Sequence, residues 1–151
     1  MPARQIKEFL DSHHVRYLSI DHSPSYTAQE IAASAHVSGK ILAKTIIVKV
    51  GSQFCMVVIP ATEFINFAEL RDWTGVSEVD LAKESEFKNK FPDCEVGAMP
   101  PFGNLYGMPV LISSSLVSQP DIAFNAGAHS EMVKMAYTDF DHLVHPKVIR
   151  H

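Results

Sequence analysis

The sequence predicts an α+β fold: a mixed, largely antiparallel sheet or partial barrel with helices packed outside it. Three observations carry this expectation. Segments that alternate apolar and polar residues outnumber segments of helical period, several of them adjoin through tight turns, and no repeat, linker or low-complexity stretch divides the 151 residues. With 46% hydrophobic content, residues 1–151 are expected to form one domain with a sizeable core.

The opening segment Arg4–His14 reads as an amphipathic helix with Ile6, Phe9 and Leu10 on one face and Pro2 near its start. Val15–Ile20 alternates like a short strand. After His22-Ser-Pro-Ser25, the Thr27–Glu30 spacing is that of a capping box opening a second helix, for which Gly39 is a fitting stop. Ile41–Val50 and Gln53–Ile59 read as two strands joined at Gly51-Ser52, a two-residue hairpin turn with Gly first.

Beyond Pro60 the period changes. Asn66 and Glu69 mark a helix start and Gly75, near Trp73, its stop. Glu78–Leu81 fits a short strand and Glu84–Phe91 a short helix halted before Pro92. Strands are expected at Pro109–Ser113, Ile122–Ala126 and Met132–Tyr137. Thr138 is the expected cap of a last helical turn through Val144, before Pro146 and a polar tail.

The formal net charge of −4 argues against a protein that coats nucleic acid, so DNA is not an expected partner. It leaves room for one that grips the end of an RNA through shape and a few contacts. Cys55 and Cys94 have no metal-ligand or disulfide spacing. The N-terminus lacks an apolar signal-peptide run and no stretch approaches 18 apolar residues, so a cytoplasmic protein without membrane contact is expected.

Three places can carry chemistry. Lys44 is the only charge in the column Leu42, Lys44, Ile46, Val48, Val50 of an apolar strand. It either lays its stem along apolar neighbours and reaches a carboxylate or solvent, or holds its ammonium over a pocket for a phosphate or an ester carbonyl. The loop Gly97-Ala-Met-Pro-Pro-Phe-Gly103 is the second. Pro100 and Pro101 stiffen it, Gly97 and Gly103 allow close approach, and the amides of Ala98, Met99, Phe102 and Gly103 could face an oxyanion or a ribose hydroxyl. It could equally be a plain irregular connection. The third is Asn125-Ala-Gly-Ala-His129, where Gly127 follows a strand and His129 is a base, a substrate donor or a turn residue. His22 stands beside it in rank. Tyr26, Met99 and Phe102 are candidates for pocket walls.

Other patterns are weaker. His142 and His145, with Asp139 and Asp141 near, lack a further ligand. Ser113-Ser-Ser115 lacks a nucleophile-elbow context, Cys55 lies in an apolar strand, and no phosphate-binding or dinucleotide fingerprint occurs.

Four features together carry a resemblance: His22-x-Pro24, Ala43-Lys44-Thr45, Val96-Gly-Ala-Met-Pro-Pro-Phe-Gly103 and Asn125-Ala-Gly127. In this order and separation, over nearly the whole length, they resemble the YbaK/EbsC family of free-standing aminoacyl-tRNA deacylases, relatives of the editing domain inserted in bacterial prolyl-tRNA synthetases. The resemblance implies the fold of that domain and trans-acting hydrolysis of the aminoacyl ester of mischarged tRNA. Lys44 would be the residue tied to activity, and Gly97–Pro101 would hold the aminoacyl-adenosine end. No metal or organic cofactor is implied. The partner implied is the acceptor end of mischarged tRNA, with an aminoacyl-tRNA synthetase as a further one the family allows. Relatives often carry Ser-Gly-Gly-Lys at the last motif, from which Asn125–His129 departs. An aminoacyl ester is already activated, so orienting a water and stabilising the oxyanion suffice without a recognisable nucleophile. Two alternatives stay open: a non-catalytic module binding a tRNA end, nucleotide or protein partner, and a small esterase on free metabolites.

Overall fold

The computed structural model describes residues 4–21, 39–92, 94–95 and 97–149. The expected second helix from Thr27, with His22, Pro24 and Tyr26, lies outside the described residues.

Two sheets form the body. One is three-stranded and antiparallel in the order β1 (Tyr17–Asp21), β7 (Glu131–Ala136), β6 (Asp121–Asn125). The other is five-stranded and mixed, in the order β4 (Val79–Leu81), β2 (Ala43–Val50), β3 (Gln53–Pro60), β5 (Val110–Ser113), β8 (Lys147–Ile149). Its β4–β2 and β2–β3 pairs are antiparallel, its β3–β5 and β5–β8 pairs parallel. Among the described residues one parallel bridge, Leu42 to Ala123, stitches the two sheets together, reinforced by the Ala123 amide donating to the Ile41 carbonyl at 2.9 Å. The assembly is an open mixed structure rather than a closed barrel, as the alternation and tight turns predict.

Alternation explains how one strand pair serves two cores. On β2 and β3, Ala43, Ile47, Met56 and Val58 face the main core, which they share with Ile122, Phe124, Val133 and Met135 of the smaller sheet. The intervening Val48, Cys55, Val57 and Ile59 face a second cluster with Leu111 and Ile149, closed by Leu70 of α2 (Phe67–Thr74). The main core centres on Phe102, Phe124 and Phe140, whose rings meet edge to face or tilted at 5.3–6.3 Å between centroids. Helix α1 (Arg4–Ser12) inserts Ile6 and Leu10 into this core.

The hairpin register pairs Val50 with Gln53, leaving Gly51-Ser52 as a two-residue turn with positive φ at Gly51. Helix α2 starts and stops at the signals the sequence carries. The Asn66 side chain accepts from the Glu69 amide at 3.1 Å, and Gly75 in the left-handed region donates to the Arg71 carbonyl. Asn66→Ala is expected to lower stability by about 1 kcal/mol in urea titration, with Asn66→Ser close to wild type.

Two local expectations are corrected, and one helix appears where none was assigned. The chain from Ser114 to Val117 is a one-turn helix, α4, following a short α3 (Glu84–Phe87). Ser113 caps α4 through its hydroxyl on the Ser115 amide, so the triple serine serves as a helix start. The last helix, α5 (Tyr137–Val144), begins one residue before Thr138, and Ala136 rather than Thr138 is its cap. The supposed polar tail contains β8, whose Ile149 pairs beside Ser113 and is buried. A three-residue strand with a single inward side chain carries too little alternation to stand out from a tail.

Candidate active site

The glycine–proline loop is fixed from below by its own aromatic. Phe102 is fully buried against Phe9, Phe124 and Phe140, so it anchors the loop to the core instead of walling a pocket. Ala98, Met99, Pro100, Pro101 and Gly103 are buried too, while Gly97 is exposed and holds a φ of +80°. Gly103 has a packing reason: a Cβ there would strike the Met108 carbonyl oxygen and lie 2.7 Å from a Val110 methyl. Its close approach is to its own chain.

Only part of the expected donor set is open. The Ala98 amide donates to the Glu95 carbonyl at 3.1 Å and the Phe102 amide to the Pro100 carbonyl at 2.8 Å. The prolines have no amide hydrogen. Among the described residues, the Met99 amide has no acceptor, in a residue that is only 5% exposed. Unpaired buried amides are rare in folded chains, which makes this one a candidate donor to a ligand.

The second and third candidate regions form one unit. The Gly127 amide donates to the Ala98 carbonyl at 2.8 Å, and the Glu95 amide donates to the Gly127 carbonyl at 2.7 Å. The His129 amide donates to the Glu95 carboxylate at 2.8 Å. The imidazole lies over Gly97, with Cε1 3.5 Å and Nε2 3.8 Å from where a Cβ would stand. Gly127, at a φ of +100°, supplies the turn that makes these contacts. Glu95 is the residue that reading the sequence missed: one acidic residue before a loop carries no periodic or motif signal.

Lys44 stands on β2 near the point where it meets β6, the strand that leads to Asn125. From the bridge between Leu42 and Ala123, β2 and β6 run parallel, and two residues further along stand Lys44 on one strand and Asn125 on the other. By alternation both are directed to the side that Leu42 and Ala123 share. No pairing continues between β2 and β6 past this bridge, so the two residues flank the place where the sheets part. Lys44 is half-buried, its cross-strand neighbour is Ile59, and its ammonium lies 4.9 Å from the centre of the Phe64 ring. Among the described residues, no hydrogen bond or ion pair ties the ammonium to the Gly97–Gly103 loop. Thr45, its neighbour, is buried and turned toward the main core. Lys49, on the opposite alternation, is taken up by Glu86 at 2.8 Å.

Other nucleophile and metal readings find little support. Burial raises the Cys55 thiol above its usual range, with Lys147 opposing weakly, which suits an inert core thiol. Among the described residues, no three His, Cys, Asp or Glu side chains converge on one point, and the His142 and His145 rings stand 6.0 Å apart. No helix among the described residues is long and apolar enough to cross a membrane.

Known proteins share this fold. Residues 22–143 match the family model of the aminoacyl-tRNA editing domain, a span that contains Lys44, the glycine–proline loop and the Asn125–His129 turn. The chain is 26% identical over 141 residues to the prolyl-tRNA editing protein ProX of Acetoanaerobium sticklandii, covering 89% of this chain and 85% of that protein. Its fold superposes on the crystal structure of a candidate trans-editing enzyme for prolyl-tRNA synthetase with a TM-score of 0.84 at 14% identity, covering 99% and 95% of the two chains. A hypothetical protein of known structure superposes with a TM-score of 0.81 at 21% identity, covering 95% of each. A match over most of the length, embracing every region that the geometry singles out, places this chain in the aminoacyl-tRNA editing domain family.

Proposed function

We propose that the chain hydrolyses the aminoacyl ester of mischarged tRNA in trans, in the cytoplasm, with the ester held between Lys44 and the loop Gly97–Pro101. The observation that carries this reading is the Met99 amide, a buried donor without an acceptor among the described residues. Family membership supplies the substrate class.

The chemistry follows from these groups. Water adds to the carbonyl carbon of the ester, and the carbonyl oxygen takes the negative charge. The Met99 amide, rigidly placed, donates more strongly to that charged oxygen than to the neutral carbonyl, which is the differential that accelerates a reaction. The carbonyl then re-forms as the carbon–oxygen bond to the ribose breaks, the ribose oxygen takes the proton that the added water gives up, and the amino acid leaves as its acid. The Lys44 ammonium fixes the phosphate of the terminal nucleotide or the ester carbonyl, and Thr45, Asn125, Gly127 and His129 shape the surroundings. His22 belongs to the same reading through the motif His22-x-Pro24 that it shares with the family, and Tyr26 as a candidate pocket wall.

A panel of tRNAs carrying wrong amino acids tests the proposal. Release of a small residue such as alanine, serine, threonine or cysteine is expected well above spontaneous hydrolysis. The names of the relatives make tRNA charged by prolyl-tRNA synthetase the first panel member. No release from any member would overturn the hydrolytic reading. A second reading, a module that holds the tRNA end without turnover, draws on the departure of Asn125–His129 from the family pattern. Tight binding of a non-hydrolysable aminoacyl-adenosine together with silence across the panel would select it.

A further inference from the structure

Glu95 joins two loops through its carbonyl, its amide and its side chain at once. The carbonyl accepts from the Ala98 amide at 3.1 Å, closing a tight turn in which Gly97 supplies a positive φ without strain. The amide donates to the Gly127 carbonyl at 2.7 Å, and the carboxylate accepts from the His129 amide at 2.8 Å. Gly127 and His129 stand in the connection from β6 to β7, whose base is closed by the Ala126 amide on the Glu131 carbonyl at 3.0 Å. Glu95 thereby holds the tip of that connection against the glycine–proline loop. Its residue is exposed, so the side-chain bond adds little to stability, and what it fixes is geometry.

That geometry reaches the Met99 amide through a single peptide plane. The Ala98 carbonyl and the Met99 N–H are the two ends of one trans peptide and point in opposite directions. The Gly127 amide donates to that carbonyl at 2.8 Å, so the place of Gly127 sets the rotation of the plane and with it the direction of the Met99 N–H. The same bond polarises the peptide, which makes its N–H a better donor. The connection runs from the Glu95 carboxylate to the His129 amide, along the backbone to the Gly127 amide, and across to Ala98 and Met99. The side chain of Glu95 is the one side chain in it.

We infer that Glu95 is a positioning residue for the hydrolysis, aiming the Met99 N–H by holding the Gly127–His129 turn in place. This rests on the reading above that the Met99 amide receives the charged ester oxygen. Glu95 acts by placing an acceptor oxygen, and neither its charge nor a proton takes part. A side chain that keeps the oxygen in place therefore substitutes for it whatever its charge. Glu95→Gln keeps an acceptor oxygen at the same reach. Glu95→Asp keeps the charge and draws the oxygens back by one carbon–carbon bond, about 1.5 Å. A donor that bonds most strongly in the transition state affects kcat when misdirected and leaves KM nearly alone.

The full chain and its Glu95→Ala, Glu95→Asp and Glu95→Gln variants are compared on one mischarged tRNA, with urea midpoints measured on the same preparations. Glu95→Ala and Glu95→Asp are expected to lose about tenfold in kcat with KM changed less than about twofold, and Glu95→Gln to stay within about twofold of wild type in both. Urea midpoints are expected to move little. Nitrogen-15 amide spectra give a second readout that needs no turnover. The Met99 resonance is expected to move in Glu95→Ala and Glu95→Asp and to hold its place in Glu95→Gln, although Glu95 has no bond to Met99. Full kcat in Glu95→Asp overturns the inference. So does a loss in Glu95→Gln as large as in Glu95→Asp, because the carboxylate then acts by its charge. A fall in kcat that follows a lowered urea midpoint makes Glu95 a residue of the fold and overturns it too. An active wild type with a Met99 resonance indifferent to Glu95 sinks the positioning role alone. A Met99 resonance that follows the expected pattern, in a chain silent across the tRNA panel, keeps the aiming of the amide and sinks the hydrolytic reading.

Discussion

Lys44→Ala is expected to slow release of the amino acid from mischarged tRNA by at least about a hundredfold, while the chain stays folded. The size follows from what the ammonium supplies: a charge-assisted contact at a half-buried point, the kind whose removal costs two to three orders of magnitude in rate. The small effect on folding follows from its surroundings. Among the described residues the ammonium has no carboxylate partner, so its loss strands no buried charge, and the contact with the Phe64 ring is worth about 1 kcal/mol at most in so exposed a place. Lys44→Met separates the two contributions, because it keeps the apolar stem along Ile59 and removes only the charge. Single-turnover deacylation and urea unfolding on both variants give the answer. Lys44→Met turning over near the wild-type rate would leave the loop amide to act alone and would remove Lys44 from the site.

The parts of this structure legible in the sequence are those where one local rule decides. The Gly51-Ser52 turn, the Asn66 cap and the Gly75 stop each depend on a few adjacent residues and stand where their chemistry says. The strands β2 and β3 were marked by apolar alternation, but both of their faces are covered, so alternation alone could not say which face met which core. That choice is made by the smaller sheet and by α2, which arrive from elsewhere in the chain. The candidate site divides along the same line. The stiffness of the Pro100-Pro101 segment was readable, whereas the use of the Ala98 and Phe102 amides within the loop, and the inward turn of Phe102, are tertiary facts. Glu95 and Phe64 gave no signal at all: each matters through a partner more than 15 residues away, His129 in one case and Lys44 in the other.

Gly97 and Gly103 look alike in the sequence, and substituting each by alanine is expected to separate them. Gly103→Ala should cost about 3 kcal/mol, the upper end for overpacking. The added methyl meets the Met108 carbonyl oxygen, and that segment cannot retreat. The Met108 amide is bonded back to the Gly103 carbonyl at 3.0 Å, Pro109 accepts from the Met56 amide at 2.9 Å, and Val110 opens β5 between β3 and β8. Gly97→Ala has room, since its methyl would rest 3.5 Å from the His129 ring, and its cost comes from the φ of +80°, about 1 kcal/mol. Relief of that strain would rotate the backbone two residues ahead of the Met99 amide and press on His129, so hydrolysis should fall by more than the lost stability accounts for. The measurements are denaturant midpoints and kcat/KM on one mischarged tRNA. A Gly97→Ala chain with full activity would mean that the loop's left-handed turn is only a way of closing the fold, and the oxyanion role of the Met99 amide would fall with it.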